Sequence, residues 1–338
     1  MAAAGLTLSQ AATDARWMTA ALALAERSVG RTAPNPAVGC IVVHEDRVVG
    51  RGWTQPGGRP HAEAMALAQA GDTARGATAY VTLEPCAHAS PRGPACADAL
   101  IAAGVARVVA AVTDPDPRTA GSGLARLSAA GIAVVGDVAA AAAEAVNAGF
   151  FSRMRHGRPH VTLKLALSLD GCLALADGSS RWITGAQARA HAHLERARAN
   201  LIVVGRGTLD ADDPALDVRL DGLADRSPRV AVLSRILIKI PSSCRLADAA
   251  LLHDLSDINI DRSVSTVLVE GGAAVATSLL AADRVDRLLI YRAPVLLGGR
   301  PAIGDLGLGN LGAAHGRWAM SEARALGVDR LERYERVR

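Results

Sequence analysis

Aromatic side chains are scarce in this chain, with three Tyr, two Phe and four Trp among 338 residues. Surfaces that stack unpaired bases need aromatic faces, so the scarcity disfavours a single-stranded nucleic-acid binder. Cysteines are few and odd in number, five in all, which suits no disulfide framework and points to a reducing compartment. No uncharged apolar run reaches membrane-spanning length, and the N-terminal MAAAGLTLSQAATDARW lacks the basic start and continuous apolar core of a signal peptide. A cytoplasmic protein with no membrane partner is the expectation. Net charge is only +4 and the arginines are scattered. No nucleic-acid partner is therefore expected, although scattered arginines suit small phosphorylated substrates. Gly205-Arg206-Gly207 does not extend into a dinucleotide fingerprint, and no ordinary Rossmann signature stands out.

Half the residues are apolar and 21% are charged, a folded composition whose cores must be aliphatic, built from Ala, Val and Leu. The length favours about two domains. Trp17, Ala21, Leu24 and Ala25 recur at helical spacing, predicting an opening helix over about 14–29 with Thr13 or Asp14 near its N-cap. A Pro34-Asn35-Pro36 turn then leads into two strands around a polar hairpin at His44-Glu45-Asp46. Asn35, pinned between prolines, is either a plain turn residue or a ligand contact. Strands and helices alternate from there to about 147, predicting an α/β sandwich with a largely parallel sheet. The basic, Pro- and Gly-containing segment near 150–160 marks a domain boundary, after which strand–helix alternation restarts.

The chemistry concentrates between His61 and Cys96. His61 opens a helical segment, Glu63 follows two residues later, Cys86 ends a buried strand and Cys96 opens another helix. One imidazole and two thiolates are three ligands, and three protein ligands plus an open position is the arrangement of a catalytic zinc. Two thiolates neutralise the metal's charge, leaving it Lewis-acidic enough to ionise a water near neutral pH. Glu63 is placed to take the water's proton and return it to a departing amino nitrogen, which is zinc-dependent hydrolytic deamination. The alternative is a zinc that only staples loops. His44 and His88 read as loop or surface residues. Nucleobase deaminases usually space the two cysteines closely, whereas here AHASPRGPA lies between them and offers Arg92 to a phosphate.

Several segments in register, NPAVGCIVV, GRPHAEAMAL, YVTLEPCAH, CADALIAAGVARVV and DPDP, make the first half similar to the deaminase half of the bifunctional riboflavin-biosynthesis deaminase–reductase family. The resemblance continues through the second half. It implies a cytidine-deaminase-like three-layer α/β sandwich over 14–155 and a dihydrofolate-reductase-like α/β domain over 160–338, acting together as a homo-oligomer. By the same resemblance, His61, Cys86 and Cys96 hold Zn2+, Glu63 shuttles protons and Asn35 contacts the pyrimidine. The implied substrate is a diamino-pyrimidinone carrying a ribosylamino 5′-phosphate, whose ribosyl group the second domain reduces to ribityl with NADPH. Two departures touch the expected substrate rim: CAHASPRGPAC stands where relatives have CSHHGRTPPC, putting Ala89 at a common His position, and Thr54 stands where many have His.

In the second half, EGGAAVATS places a glycine pair between a strand and a helix start, either a phosphate cradle or a tight turn. The resemblance implies NADP contacts at Ala166, Trp182, Thr208, Asp212, Ser234 and the run Gly272 to Ser278. It implies substrate contacts at Ser180, Arg196, Leu216, Arg219 and Glu270, with Lys164 and Asp170 in the KLALSLDG strand. Taken alone, the two arginines read as surface charges and Trp182 as a core residue, although the arginines can clamp a phosphate in bidentate fashion. The stretch from about 235 to 265 is shorter than the strand–helix–strand excursion of relatives. The alternative to a bifunctional enzyme is thus a deaminase whose degenerate second domain only binds or oligomerises.

Overall fold

A computed structural model of the chain describes residues 8–88 and 93–338, which fall into two compact units, Met1–Gly157 and Arg158–Arg338. The first unit runs α1 (Leu8–Ala25), β1 (Gly39–His44), β2 (Arg47–Trp53), α2 (Ala62–Ala70), β3 (Thr78–Val81), α3 (Cys96–Ala103), β4 (Arg107–Ala110), α4 (Ser122–Ala129), β5 (Ala133–Val135), α5 (Ala140–Val146) and α6 (Ala148–His156). Its sheet has the order β2-β1-β3-β4-β5. The sheet is mixed, not largely parallel: β1 is antiparallel to β2 and β3, and only β3–β4 and β4–β5 are parallel. The cause is local. Glu45 and Asp46 adopt φ of 48° and 59°, the left-handed pair that closes a two-residue hairpin.

Small residues set the layers. A Cβ at Gly39 would lie 2.0 Å from the Ala21 carbonyl oxygen of α1, and one at Gly52 would lie 2.1 Å from the Ala62 carbonyl oxygen of α2. Gly52 pairs with Cys40, the residue after Gly39, so the two helices cover opposite faces of the sheet. The result is a three-layer sandwich. The helix α1 begins well before Asp14, which is no N-cap: it lies inside the helix on the buried stripe with Trp17, Met18, Ala21 and Ala25. Arg107 of β4 donates to both Asp14 oxygens, at 2.8 and 2.6 Å, and the Tyr80 hydroxyl donates at 3.0 Å. A carboxylate can be buried there because a bidentate guanidinium meets it.

The second unit runs β6 (His160–Leu167), β7 (Cys172–Ala174), α7 (Ala186–Arg198), β8 (Leu201–Gly205), α8 (Arg206–Asp212), β9 (Arg229–Leu233), β10 (Ala250–Leu252), β11 (Thr266–Val269), α9 (Ala273–Ala281), β12 (Arg287–Arg292), β13 (Arg300–Pro301), β14 (Trp318–Leu326) and β15 (Asp329–Arg336). Eight strands form one sheet in the order β10-β9-β8-β11-β6-β12-β15-β14, parallel from β10 to β12 and antiparallel thereafter. On one face Leu163, Leu165, Val203 and Val269 pack against Ala276, Leu279 and Leu280 of α9. On the other, Ile202, Val204 and Leu268 meet Leu209 of α8, and Leu289 and Tyr291 meet Ala188 of α7. The stretch expected to be shortened still adds β10 to the sheet edge and follows it with a 3-10 turn, Leu255–Ile260, capped by Asp254.

Asp286 closes this unit's two ends on one carboxylate. It accepts 2.7 and 2.6 Å hydrogen bonds from Arg158 at the unit's start, one from the Val161 N–H at 2.9 Å, and another from Arg338 at the chain's end. Burial pushes its pKa up, but these donors outweigh that and hold it well below the usual carboxylate range. Asp286→Asn should lower stability by about 2–4 kcal/mol, because two cations lose their counter-charge. An unchanged urea midpoint would show that the cluster contributes nothing.

Candidate functional site

His61 immediately precedes α2, Cys86 follows the end of β3, and Cys96 is the first residue of α3. The sheet thus delivers three segments distant in sequence to one place. His61 Nδ1 stands 3.2 Å from Cys96 Sγ and 3.7 Å from Cys86 Sγ, and the three candidate ligand atoms all lie within 4.8 Å of one another. Tetrahedral zinc bonds to nitrogen and sulfur require ligand–ligand edges of about 3.5–3.8 Å. The residues therefore fit zinc with small adjustment. Among the described residues no further His, Cys, Asp or Glu joins this group. His88 instead brings its Nδ1 within 3.3 Å of Thr119 Oγ1.

Electrostatics prepare the ligands. The Cys96 thiol and its backbone N–H, the latter 3.3 Å from Cys86 Sγ, together with His61, draw the Cys86 thiol well below its ordinary pKa. Glu63 lies in the first turn of α2, 3% exposed. Burial pushes its carboxyl above the ordinary value, the direction required of a group that must both take and release a proton near neutrality.

Cys86, expected to end a strand, lies in the loop after β3, and that loop is braced by Glu84, whose role sequence reasoning missed. Its buried carboxylate accepts the N–H groups of Asp114 (3.1 Å), Gly121 (2.8 Å), Gly123 (2.8 Å) and Leu124 (3.2 Å), capping α4. A Cβ at Gly123 would lie 1.9 Å from the Pro85 carbonyl oxygen, so α4 abuts the Glu84-Pro85-Cys86 segment. The only sequence signal was a Glu beside a Pro-Cys, which says nothing of a cap thirty-odd residues away. Thr54, expected at the substrate rim, is 2% exposed, and its hydroxyl accepts the Val38 N–H at 3.0 Å. It is a scaffold residue. Arg92 and Ala89 lie outside the described residues. Asn35 is half-buried in the loop before β1.

In the second unit Glu270 follows β11, 9% exposed, and accepts Arg196 Nε at 2.6 Å and Nη2 at 3.0 Å, with Lys164 Nζ 3.5 Å away. Burial pushes this carboxyl up, but Lys164 and Arg196 overcome it and hold it at about 2. Arg196 also donates from Nη1 to the Asp217 carbonyl at 3.0 Å, so it is a buried ion-pair partner and not the surface charge its sequence alone suggests. Arg219 is exposed beside Asp217. Leu216 buries its side chain at a φ of 55°, a strained geometry that leaves only its backbone for a ligand. Asp170 ties a loop, accepting the Leu297 and Gly298 N–H groups at 3.1 and 2.7 Å.

Two helices begin side by side where the parallel strands β8 and β11 end. Gly272 caps α9, and a Cβ built on it would lie 4.0 Å from the Thr208 hydroxyl of α8. Adjacent helix N-termini at the carboxyl ends of parallel strands form a phosphate-binding crevice, so this region fits a dinucleotide phosphate. Ser234 follows β9, and Ser278 lies further along α9, its hydroxyl 3.4 Å from an Arg235 nitrogen. Trp182 is no core residue: it is 67% exposed with the Arg189 guanidinium 4.8 Å over its ring, and Arg181 beside it pairs with Asp212 at 3.0 Å. Ala166 and Lys164 are half-buried on β6, and Ser180 is half-buried in the loop before Trp182.

Comparison with known proteins follows this division. The family model described as the cytidine and deoxycytidylate deaminase zinc-binding region matches residues 11–112, and the RibD C-terminal domain matches residues 159–329. The riboflavin biosynthesis protein RibD of Escherichia coli is 42% identical over 326 residues, covering 84% of this chain and 89% of that protein. RibD of Mycobacterium tuberculosis is 44% identical over 318 residues, covering 89% and 91%. The structure of Acinetobacter baumannii RibD matches with a TM-score of 0.86 at 35% identity, over 97% of this chain and all of that one. A Thermotoga maritima diaminohydroxyphosphoribosylaminopyrimidine deaminase/5-amino-6-(5-phosphoribosylamino)uracil reductase also matches at 0.86, with 28% identity over 97% of this chain and 99% of that one.

Glu270 allows a direct check on the second site's electrostatics. With a folded value of about 2 against an ordinary 4.5, its contribution to stability is complete above about pH 4.5 and is lost as pH falls through about 2. Glu270→Gln should therefore cost about 3–5 kcal/mol at neutral pH by leaving Lys164 and Arg196 uncompensated. The gap to wild type should narrow across that acid window, as denaturant titrations at several pH values would read. A gap independent of pH would contradict the ion-pair account.

Proposed function

The chain belongs to the bifunctional riboflavin-biosynthesis deaminase–reductase family, and we propose that it deaminates a diamino-pyrimidinone bearing a ribosylamino 5′-phosphate, then reduces the ribosyl group to ribityl with NADPH. The chain carries both a zinc-type deaminase domain and a reductase domain of the NADPH-using type; we assign the first activity to residues 14–155 and the second to 160–338. The observation that carries the first assignment is a buried carboxyl, Glu63, beside three convergent zinc-type ligands.

His61 Nδ1 and the sulfurs of Cys86 and Cys96 would hold zinc, which would supply the Lewis acidity that makes a water nucleophilic at neutral pH. Glu63 accepts that water's proton and delivers it to the amino nitrogen as the carbon–nitrogen bond breaks, so ammonia leaves instead of an amide ion. Its burial supports both halves of this transfer, since a raised pKa favours holding the proton between the two steps. Asn35 orients the pyrimidine ring through its side-chain amide.

In the second domain NADPH supplies the hydride. Thr208, Asp212, Ser234 and the run from Gly272 to Ser278 would hold its phosphates and riboses, and Trp182 and Ala166 would border its ring. Arg196 has both forked nitrogens on Glu270, so the substrate phosphate falls to the exposed Arg219, and the Lys164–Glu270–Arg196 cluster faces the sugar. Ser180 and the Leu216 backbone complete the substrate's surroundings. The family reading carries with it a cytoplasmic homo-oligomer. Five free cysteines suit a reducing compartment, and no helix among the described residues is long and apolar enough to cross a membrane.

Glu63→Gln should reduce ammonia release by about 10³-fold while leaving zinc bound and leaving NADPH oxidation intact when the deaminated pyrimidine is supplied. Loss of zinc from that variant, by elemental analysis, would make Glu63 a ligand and contradict its role as proton carrier.

A further inference from the structure

The Asn35 amide sits in a mould built by residues distant in sequence. Among the described residues its side chain makes no hydrogen bond, while its backbone N–H donates to the Thr32 carbonyl at 2.9 Å. Gly58 closes one side: a Cβ there would lie 1.7 Å from Asn35 Nδ2 and 2.6 Å from its Cγ, at a φ of +85° that already disfavours other residues. The Gly57 N–H donates to the Arg31 carbonyl at 3.0 Å, stapling the Asn35 loop to the segment that ends at His61.

On the other side Asn147, 3% exposed at the junction of α5 and α6, grips the loop's backbone. Its Oδ1 accepts the Ala37 N–H at 2.7 Å and its Nδ2 donates to the Ala37 carbonyl at 2.9 Å. One amide that engages both polar groups of a single residue fixes that residue's orientation as well as its position. Thr54 holds the next residue, its hydroxyl accepting the Val38 N–H at 3.0 Å and its own N–H donating to the Val38 carbonyl at 2.9 Å. All four bonds are buried, so water does not compete for them.

We propose that Asn147 is a positioning residue for substrate recognition: with Thr54 it fixes the backbone that follows Asn35, and with Gly58 packed beside the side chain it aims that free amide at the pyrimidine ring. The inference rests on Asn35 being the base contact. A loop side chain recognises a planar ring only as sharply as its backbone is held, and a displacement of about 1 Å can cost about 100-fold in rate. No sequence pattern marks Asn147, which follows an alanine-rich helix.

The test is a double-variant cycle on the full chain, measuring kcat/KM for ammonia release, zinc per chain, melting temperature, and NADPH oxidation on the deaminated pyrimidine. Asn147→Ala should lower kcat/KM by about 10- to 100-fold with zinc and NADPH oxidation retained, and should add nothing in an Asn35→Ala background. Gly58→Ala, which leaves the Asn147 bonds untouched and displaces the Asn35 amide directly, should give the same loss, and it serves if Asn147→Ala does not fold. Equal losses from Asn147→Ala with and without Asn35 would overturn the proposal, as would a lower melting temperature with unchanged kcat/KM. If Asn35→Ala alone leaves kcat/KM unchanged, the base contact fails and the clamp's role fails with it, an outcome distinct from additivity.

Discussion

Each half of this chain depends on one buried carboxylate that the fold must satisfy completely. An ionised carboxyl taken out of water is tolerated only when donors or cations replace its hydration. Glu84 is met by four backbone N–H groups, and in return it locks α4 against the segment that carries Cys86. Glu270 is met by Arg196 and Lys164, which binds the end of β11 to α7 and β6. Remove either carboxylate and the elements that present the adjoining site lose their common anchor. Glu84 thus braces the Cys86 segment of the metal triad, and Glu270 anchors the strand end that leads into Gly271 and Gly272.

Glu63 and Glu270 show how environment sorts identical side chains into different tasks. Both are buried, and burial alone pushes both upward. Two cations reverse the shift at Glu270 and keep it charged. Around Glu63 the neighbours are thiols and an imidazole, and burial prevails. The proposed roles match this difference, a fixed charge at one site and a movable proton at the other.

What sequence could reveal followed from the range of the forces involved. The meeting of His61, Cys86 and Cys96 was legible because metal chemistry permits few residue types and because His61 and Cys96 stand at helix starts, although Cys86 lies in the loop beyond β3. The hairpin at Glu45–Asp46 was legible from local turn chemistry, although its consequence, a mixed sheet, was not. Asp14 read as a cap since Asp commonly serves as one; its partner Arg107 lies ninety-three residues away, beyond any local pattern. The same holds for Trp182, whose apolar ring suggested burial, and for Arg196, whose charge suggested the surface. In both cases tertiary partners override the preference of the isolated side chain. Asn147 carried no signal and Thr54 suggested only a changed substrate rim, because a buried amide or hydroxyl acting on distant backbone has no spacing to betray it.

The central claim is that a zinc-dependent deamination and a metal-independent reduction occupy separate units of one chain. It is tested most directly by stripping the metal with a chelator and following the two reactions separately, ammonia from the diamino substrate and NADPH oxidation on the deaminated one. The account predicts that ammonia release stops and returns with added zinc, while NADPH oxidation continues unchanged. Ammonia release that survives complete removal of zinc, or NADPH oxidation that disappears with it, would contradict the account.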